Sequence, residues 1–392
     1  MAQYKYLIVG GGMTANAAMK GIRSIDQDGT IGVISAEADR PYDRPPLTKG
    51  LWKNETNIDK IVHELPAGVE LHPQRRVRSL SIPKKEVMDD QEQIYSYEKL
   101  LLATGGTPKR LPFDDEGKVL YYRTLRDYRN LRRLTEQYEK FVVIGGSFIG
   151  SELAAALNLN NKDVTLIFPE DSICARLLPA DVSGYLNRYY ESKGVTVQPS
   201  TKLTGIEGEL GHYQLQTDQQ EEITAEVVVA GIGIAPDVAL AETAGLRVAN
   251  GIMVNGGLQT SAPNIYAAGD VANFEDKVLG ERRRVEHEDN ATAMGEAAGR
   301  AMAGAKITYD YSPMFYSDLF DLGYEAVGKL QADLTTYVDW QEEYTKGVIY
   351  YLQDNRVCGV LLWNVWKQLD AARALIASRE KLPTSALKGR IG

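Results

Sequence analysis

The sequence predicts an α/β protein with two parallel-sheet βαβ units and a smaller α+β region behind them. Three observations carry this. A strand, glycine turn, helix and second strand open the chain, the same order recurs over residues 138–170, and after Gly304 the pattern changes to aromatic-rich strands closed by one helix. At 392 residues the chain exceeds a usual single core, so two or three domains are expected.

The opening run is YKYLIVGGGMTANAAMKGI. Residues 4–9 form an apolar strand, and a helix of small residues begins near Met13. Gly10 permits the tight turn and Gly12 lets backbone N–H groups approach a pyrophosphate. Ala15 allows close packing of helix on strand, while Met13 and Thr14 open the helix whose N-terminus faces the phosphates. A second strand over 31–35 closes the unit, which turns a bare glycine pattern into a Rossmann-type dinucleotide site. The acidic residue expected just past that strand, for a ribose hydroxyl, is Glu37. Ala36 precedes it, so the register is open by one, and a solvated loop carboxylate is the alternative.

The second run is YEKFVVIGGSFIGSELAAALNLNNKDVTLIFPE. Gly145 and Gly150 match the fingerprint, Ser147 replaces its central glycine, and Gly146, Phe148 and Ile149 complete the turn and open the helix. Glu170 stands at the end of the next strand, where it would bind ribose hydroxyls and repel a 2′-phosphate, so NADH is expected over NADPH; Arg176, close by, could instead favour the phosphate. Two complete sites in one chain imply two dinucleotides, the arrangement of a flavoprotein that moves electrons between a nicotinamide and FAD.

Between and beyond these runs, ATGGTP offers Ala103, Thr104 and Gly105 as a turn that touches the flavin. The helix after Thr124 carries Arg126, Arg129, Arg132 and Arg133, read as a solvated face. VVVAGIGIAPD ends a strand at Gly231 and Gly233, and NIYAAGDVANF delivers Gly269 and Asp270 at the end of another, where ligands of such sheets sit. The expected layout is an FAD domain of 1–113 and 235–312, an NAD domain of 114–234, and an α+β domain of 313–392. Trp340, Trp363 and Trp366 are expected in the core or an interface of that last domain.

Composition narrows the function classes. Hydrophobic residues at 44% and charged residues at 25% are globular values, and no apolar stretch is long enough to cross a bilayer. A formal net charge of −9 disfavours nucleic acid as the main partner. Two distant cysteines, Cys174 and Cys358, read as packed thiols, and four histidines without ligand spacing predict no metal. The strand that follows Met1-Ala2-Gln3 leaves no targeting signal in view, so a cytoplasmic location is expected. One stretch, PYDRPPLTKGLW, stiffens Arg44 and Lys49 with Pro41, Pro45 and Pro46; a rigid turn and a ligand-holding segment both fit it locally.

The motifs PYDRPPLTK, LLATGGTP, NIYAAGDV, VEHEDNA and MFYSDL, joined to the twin fingerprints, make the chain resemble the FAD-dependent NADH reductases of the apoptosis-inducing factor and putidaredoxin-reductase-type ferredoxin reductase family. The resemblance runs nearly end to end and is strongest to apoptosis-inducing factor, through KGVIYYLQDNRVCGVLLWNVW and GGSFIGSELA. It implies a glutathione-reductase-like architecture, with FAD contacts from Arg44, Val77, Arg123, Asp270 and His287, and with Lys49 at the isoalloxazine edge. It implies nicotinamide-dinucleotide contacts from Glu170, Arg176, Gly233, Glu286 and Glu325. Glu152 would pair with Lys49 across a domain boundary, and Phe148 would cover the flavin, a core phenylalanine being the alternative. Tyr316 stands beside the flavin where the family has tryptophan. No cysteine lies where disulfide reductases need one, so a dithiol substrate is not expected.

The expected activity is transfer of hydride from NADH to FAD and of electrons onward to a small acidic iron–sulfur protein such as a ferredoxin or rubredoxin. Arg282, Arg283 and Arg284 form either its docking charge or a solvated loop. The alternatives are a slow, NADH-responsive redox protein like apoptosis-inducing factor, with homodimer formation open, and a quinone or small-molecule reductase.

Overall fold

The computed structural model describes residues 2–114, 116–220 and 222–391. They divide into two compact units, one of Met1–Arg44, Ile58–Thr107 and Ala235–Met314, the other of Pro45–Asn57, Pro108–Ile234 and Phe315–Gly392.

The first unit is organised by strand Ala2–Val9, flanked in parallel by Ile31–Ile34 and Ile94–Leu102. Val69–His72 extends the sheet on one side, and Ile265–Ala267 pairs with Ile94–Leu102 on the other. Leu7, Ile8, Val33, Leu100 and Leu101 are fully buried, which is why these strands read as continuous apolar runs rather than as alternating ones. Helix Met13–Arg23 makes the crossover between the first two strands and packs on helix Glu288–Met302. Val9, Ile34, Leu102 and Ala267 end at one edge of the sheet, so the turns that follow them gather there.

The second unit repeats the plan. Its parallel sheet runs Thr196–Gln198, Asp163–Ile167, Lys140–Ile144, Val227–Ala230 and Leu120–Tyr121, with helix Phe148–Leu159 as crossover. An antiparallel sheet of Leu203–Glu209, His212–Thr217 and Glu222–Ala225 is inserted in the chain between strands Thr196–Gln198 and Val227–Ala230. Helix Leu125–Thr135 starts with a reciprocal capping box between Thr124 and Asp127, of the kind that contributes about 1 kcal/mol. Arg126, Arg129 and Arg133 lie on its exposed face, while Arg132 turns inward over the Trp52 ring, 5.1 Å from its centroid.

The C-terminal strands form an antiparallel sheet in the order Met314–Leu319, Leu322–Gly328, Arg356–Trp363, Lys346–Gln353 and Thr335–Glu342, with helix Leu369–Ser378 against it. Tyr324, Tyr350, Tyr351 and Trp363 fill its core. Trp366, expected in the core or at an interface, lies outside the core at 49% exposed; it stands in the loop that follows the Trp363 strand, with its ring edge over Gly323. Residues 315–392 belong to one compact unit with 108–234, and so does the segment Pro45–Asn57, which places Lys49 and Glu152 in the same unit.

Candidate functional site

In the first unit the fingerprint turn is built as its sequence requires. Gly10 has φ +116°, and a Cβ there would lie 2.1 Å from the Ala103 carbonyl oxygen, so only glycine lets the turn close against the neighbouring strand end. Gly12 differs: a Cβ on it would meet nothing nearer than Arg44 Nη2 at 3.9 Å. Open space over the first turn of a helix, next to a guanidinium, is a cradle for a pyrophosphate, and it fits the FAD expected here.

Arg44 is held there by Glu37, Nη2 to Oε1 at 2.5 Å, and its backbone N–H meets the Met13 sulfur. Burial opposes its charge, but Tyr42, Glu37 and Asp270 outweigh that and drive its pKa upward. The other Glu37 oxygen accepts from the Tyr42 hydroxyl at 2.6 Å. The turn at Gly269 closes on Thr14, whose Oγ1 lies 2.2 Å from where a Gly269 Cβ would be, and this brings Asp270 to the fingerprint helix. His287 caps the start of helix Glu288–Met302; burial lowers its pKa to about 4, with Arg283 adding to the fall and Asp270 opposing it. Ala103 hydrogen-bonds back to Val9, Thr104 donates to the Asp237 carbonyl and Gly105 turns at φ +66°. Ala15 is fully buried in the helix packing. Val77 starts strand Val77–Ser81, paired with Glu86–Asp89, two residues after Arg75, whose N–H donates to the Ser35 carbonyl.

In the second unit Gly145 takes φ +116°, and Gly150 packs against the Gly145 carbonyl. The Cys174 N–H braces the turn at the Gly146 carbonyl, 2.8 Å away. Ser147 is the N-cap and is exposed; its side chain makes no cap bond, which leaves the helix start open to a ligand. Ile149 is exposed beside it. Glu170, beyond strand Asp163–Ile167, pairs with Arg176 at 2.6 Å, and that guanidinium is 87% exposed. Gly233 has φ +88°, and Arg123 leads into the capping box, its N–H bonded to Asp127.

Glu152 is tightly held, its side chain 2% exposed. Its Oε2 accepts from Lys49 Nζ at 2.7 Å and from Thr48 Oγ1 at 2.6 Å, and its Oε1 accepts from Ser317 Oγ at 2.6 Å. Lys49 also lies 5.0 Å from the centroid of the Tyr316 ring. Phe148 meets Phe315 edge-on at 5.5 Å and is half-buried, so it is no core residue. Thr48 and Ser317 escaped the sequence reading: hydroxyl donors carry no spacing signal, although each adjoins a residue already singled out, Lys49 and Tyr316. Glu325 lines a pocket with Trp366, Lys367 and Arg373, and burial raises its pKa.

The arginine run does not present a free basic patch. Arg282 donates to the carbonyls of Val254 and Asn273, Arg283 lies 3.3 Å from Asp276, and Arg284 pairs with Glu286. Each of the three arginines is thus tied to a partner within its own unit, whichever of the two expected roles, docking charge or solvated loop, the run serves.

The model of the pyridine nucleotide-disulphide oxidoreductases matches residues 4–295. The chain belongs to that family. A second model, the C-terminal domain of mitochondrion-associated apoptosis-inducing factor, matches residues 337–378. The chain is 35% identical to apoptosis-inducing factor 1, mitochondrial, of Dictyostelium discoideum, over 97% of this chain and 79% of that protein. It is 32% identical to the ferredoxin–NAD(+) reductase component of the anthranilate 1,2-dioxygenase system of Burkholderia cepacia, covering 96% of this chain and 95% of that one. Among solved structures, putidaredoxin reductase from its covalent complex with putidaredoxin superposes with a TM-score of 0.91 at 27% identity, over 99% of this chain and 96% of that one. The family works with FAD and NAD(P)H, and this member is an FAD-dependent pyridine nucleotide oxidoreductase of the ferredoxin reductase and apoptosis-inducing factor type. Both its cysteines are buried, and burial pushes the Cys174 thiol up to about 12, far from a reactive thiolate. No described helix is long and apolar enough to cross a membrane.

The two glycines of the first turn should separate folding from binding. Gly12→Ala is expected to leave the unfolding midpoint of the apoprotein nearly unchanged while weakening FAD binding roughly tenfold or more. Gly10→Ala should instead destabilise the fold by at least about 1–3 kcal/mol. Thermal unfolding with and without added FAD reads both; equal behaviour of the two variants would contradict the assignment of Gly12 to the phosphates.

Proposed function

We propose that this oxidoreductase takes hydride from NADH and passes electrons singly to a small iron–sulfur protein. FAD, when bound, supplies the conversion between a two-electron donor and a one-electron acceptor. The residues assigned to holding it are Gly10, Gly12, Met13, Thr14, Ala15, Glu37, Arg44, Val77, Ala103, Thr104, Gly105, Arg123, Gly269, Asp270, His287 and Tyr316. Gly145, Gly146, Ser147, Ile149, Gly150, Glu170, Arg176, Gly233, Glu286 and Glu325 are assigned to the nicotinamide dinucleotide. Lys49 orients the flavin and stabilises the negative charge that grows as hydride arrives, Glu152 fixes the lysine, and Phe148 screens the flavin until nicotinamide displaces it.

The observation that favours an iron–sulfur acceptor is end-to-end likeness to reductases of that kind, at 96% coverage of this chain for the Burkholderia protein and 99% for putidaredoxin reductase. The match of residues 337–378 to the apoptosis-inducing factor C-terminal model favours a second reading, a slowly turning, NADH-responsive protein that changes its association state. Anaerobic reduction by NADH followed by addition of a ferredoxin separates them. The reductase reading expects rapid oxidation of the flavin by the carrier. A reduced complex that persists for minutes in air and is not drained by any iron–sulfur protein would overturn it in favour of the second.

NADH is preferred because the Glu170 carboxylate lies where a 2′-phosphate would be, and Arg176 is already engaged with it at 2.6 Å. Glu170→Ala should narrow the ratio of kcat/KM for NADH over NADPH by roughly tenfold or more. An unchanged ratio would mean that the ribose site lies elsewhere.

A further inference from the structure

Arg284 belongs to a basic run, yet its side chain is only 9% exposed and its guanidinium is engaged at both Nη1 and Nε. Nη1 reaches Glu286 Oε1 at 2.5 Å and donates to the Asp270 carbonyl at 3.0 Å, while Nε donates to Asn250 Oδ1 at 3.1 Å. Its stem packs on Gly251, where a Cβ would lie 2.8 Å from Cδ. These partners come from separate places: the residue before strand Gly251–Met253, the Gly269–Val271 turn, and the approach to helix Glu288–Met302. Two of them, Asp270 and Glu286, are assigned above to different ligands, the flavin and the nicotinamide dinucleotide.

We propose that Arg284 is a positioning residue that joins the flavin-binding turn at Asp270 to the Glu286 carboxylate, so that Glu286 meets the nicotinamide dinucleotide in a fixed orientation. The inference rests on the reading of Glu286 and Asp270 under the proposed function. A glutamate that is 34% exposed has several rotamers to lose on meeting a ligand, and a planar guanidinium that already holds it removes that cost before binding. The same plane holds the turn through a carbonyl oxygen, so movement of the turn is carried to the carboxylate. A lysine would keep the charge but not the fork that meets Asp270, Glu286 and Asn250 together.

The test is a double-mutant cycle on the FAD-loaded protein, with NAD+ affinity measured by calorimetry and FAD release by the return of flavin fluorescence. Glu286→Gln and Arg284→Met should each weaken NAD+ by roughly tenfold, and the double variant should be no weaker than either, because both break one linkage. FAD release should quicken in Arg284→Met and stay at the wild-type rate in Glu286→Gln. Arg284→Lys should fall between wild type and Arg284→Met, and it takes the place of Arg284→Met in the cycle should that variant fail to fold. Additive losses in NAD+ affinity, or a wild-type affinity in Arg284→Met beside a weakened Glu286→Gln, would overturn the linkage and leave the role of Glu286 standing. A silent Glu286→Gln would overturn the role of Glu286 and the linkage together.

Discussion

A carboxylate with almost no access to water organises the second unit. Glu152 sits one turn into the second fingerprint helix and is 2% exposed, so it persists only because Lys49, Thr48 and Ser317 surround it with donors at 2.6–2.7 Å. Removing one partner of such a buried pair typically costs about 3–5 kcal/mol, because the other charge is left unpaired. The three donors arrive from two remote parts of the chain, the proline-stiffened segment around Pro45–Leu47 and the strand Met314–Leu319. Glu152 therefore fixes where both segments lie against the fingerprint helix. Trp52 reinforces the first of them: it is buried, donates to the Leu47 carbonyl at 2.7 Å and lies under the Arg132 guanidinium.

The two fingerprints share one design and differ in the groups that surround it. Both turn at a glycine with φ +116° and both close against the end of a neighbouring strand. The first adds a cation, Arg44, beside the open face of Gly12, and a carboxylate, Glu37, that orients the cation. The second replaces the central glycine with the exposed Ser147 and places Glu170 past the next strand with its own arginine turned toward solvent. A ligand retained through many turnovers benefits from the first arrangement. A ligand that must leave after each hydride transfer is better served by the second, where the helix start is open and the arginine is loosely held.

The βαβ units were legible because their signals are local: an apolar run, glycines at set offsets and a helix of small residues lie within about 30 residues. The contact of Lys49 with Glu152 spans 103 positions and leaves no trace in spacing; it came from resemblance, and its supporting hydroxyls on Thr48 and Ser317 were not seen at all. The grouping of Pro45–Asn57 with the second nucleotide unit was hidden for the same reason, since tertiary contact rather than composition decides it. The surroundings of Arg282, Arg283 and Arg284 were not legible, because a run of charge looks alike whether it faces solvent or bonds inward; the positions of Asn250, Asp276 and Glu286 show the bonds they make. For Trp366 the sequence left core and interface equally open, and its 49% exposure, set by the loop after the Trp363 strand, takes it out of the core.

The central claim is that the buried carboxylate serves the redox step by fixing Lys49, beyond its part in holding the fold. Anaerobic single-turnover reduction by NADH, with flavin content measured first, tests it in Lys49→Met and Glu152→Ala. The account predicts that FAD stays bound in Lys49→Met while reduction slows roughly tenfold to a hundredfold, the range seen when one positioned electrostatic group is lost, with Glu152→Ala slowing to a similar degree in whatever fraction retains FAD. Wild-type reduction rates in flavin-replete samples of both variants would contradict it and leave the pair as a structural contact.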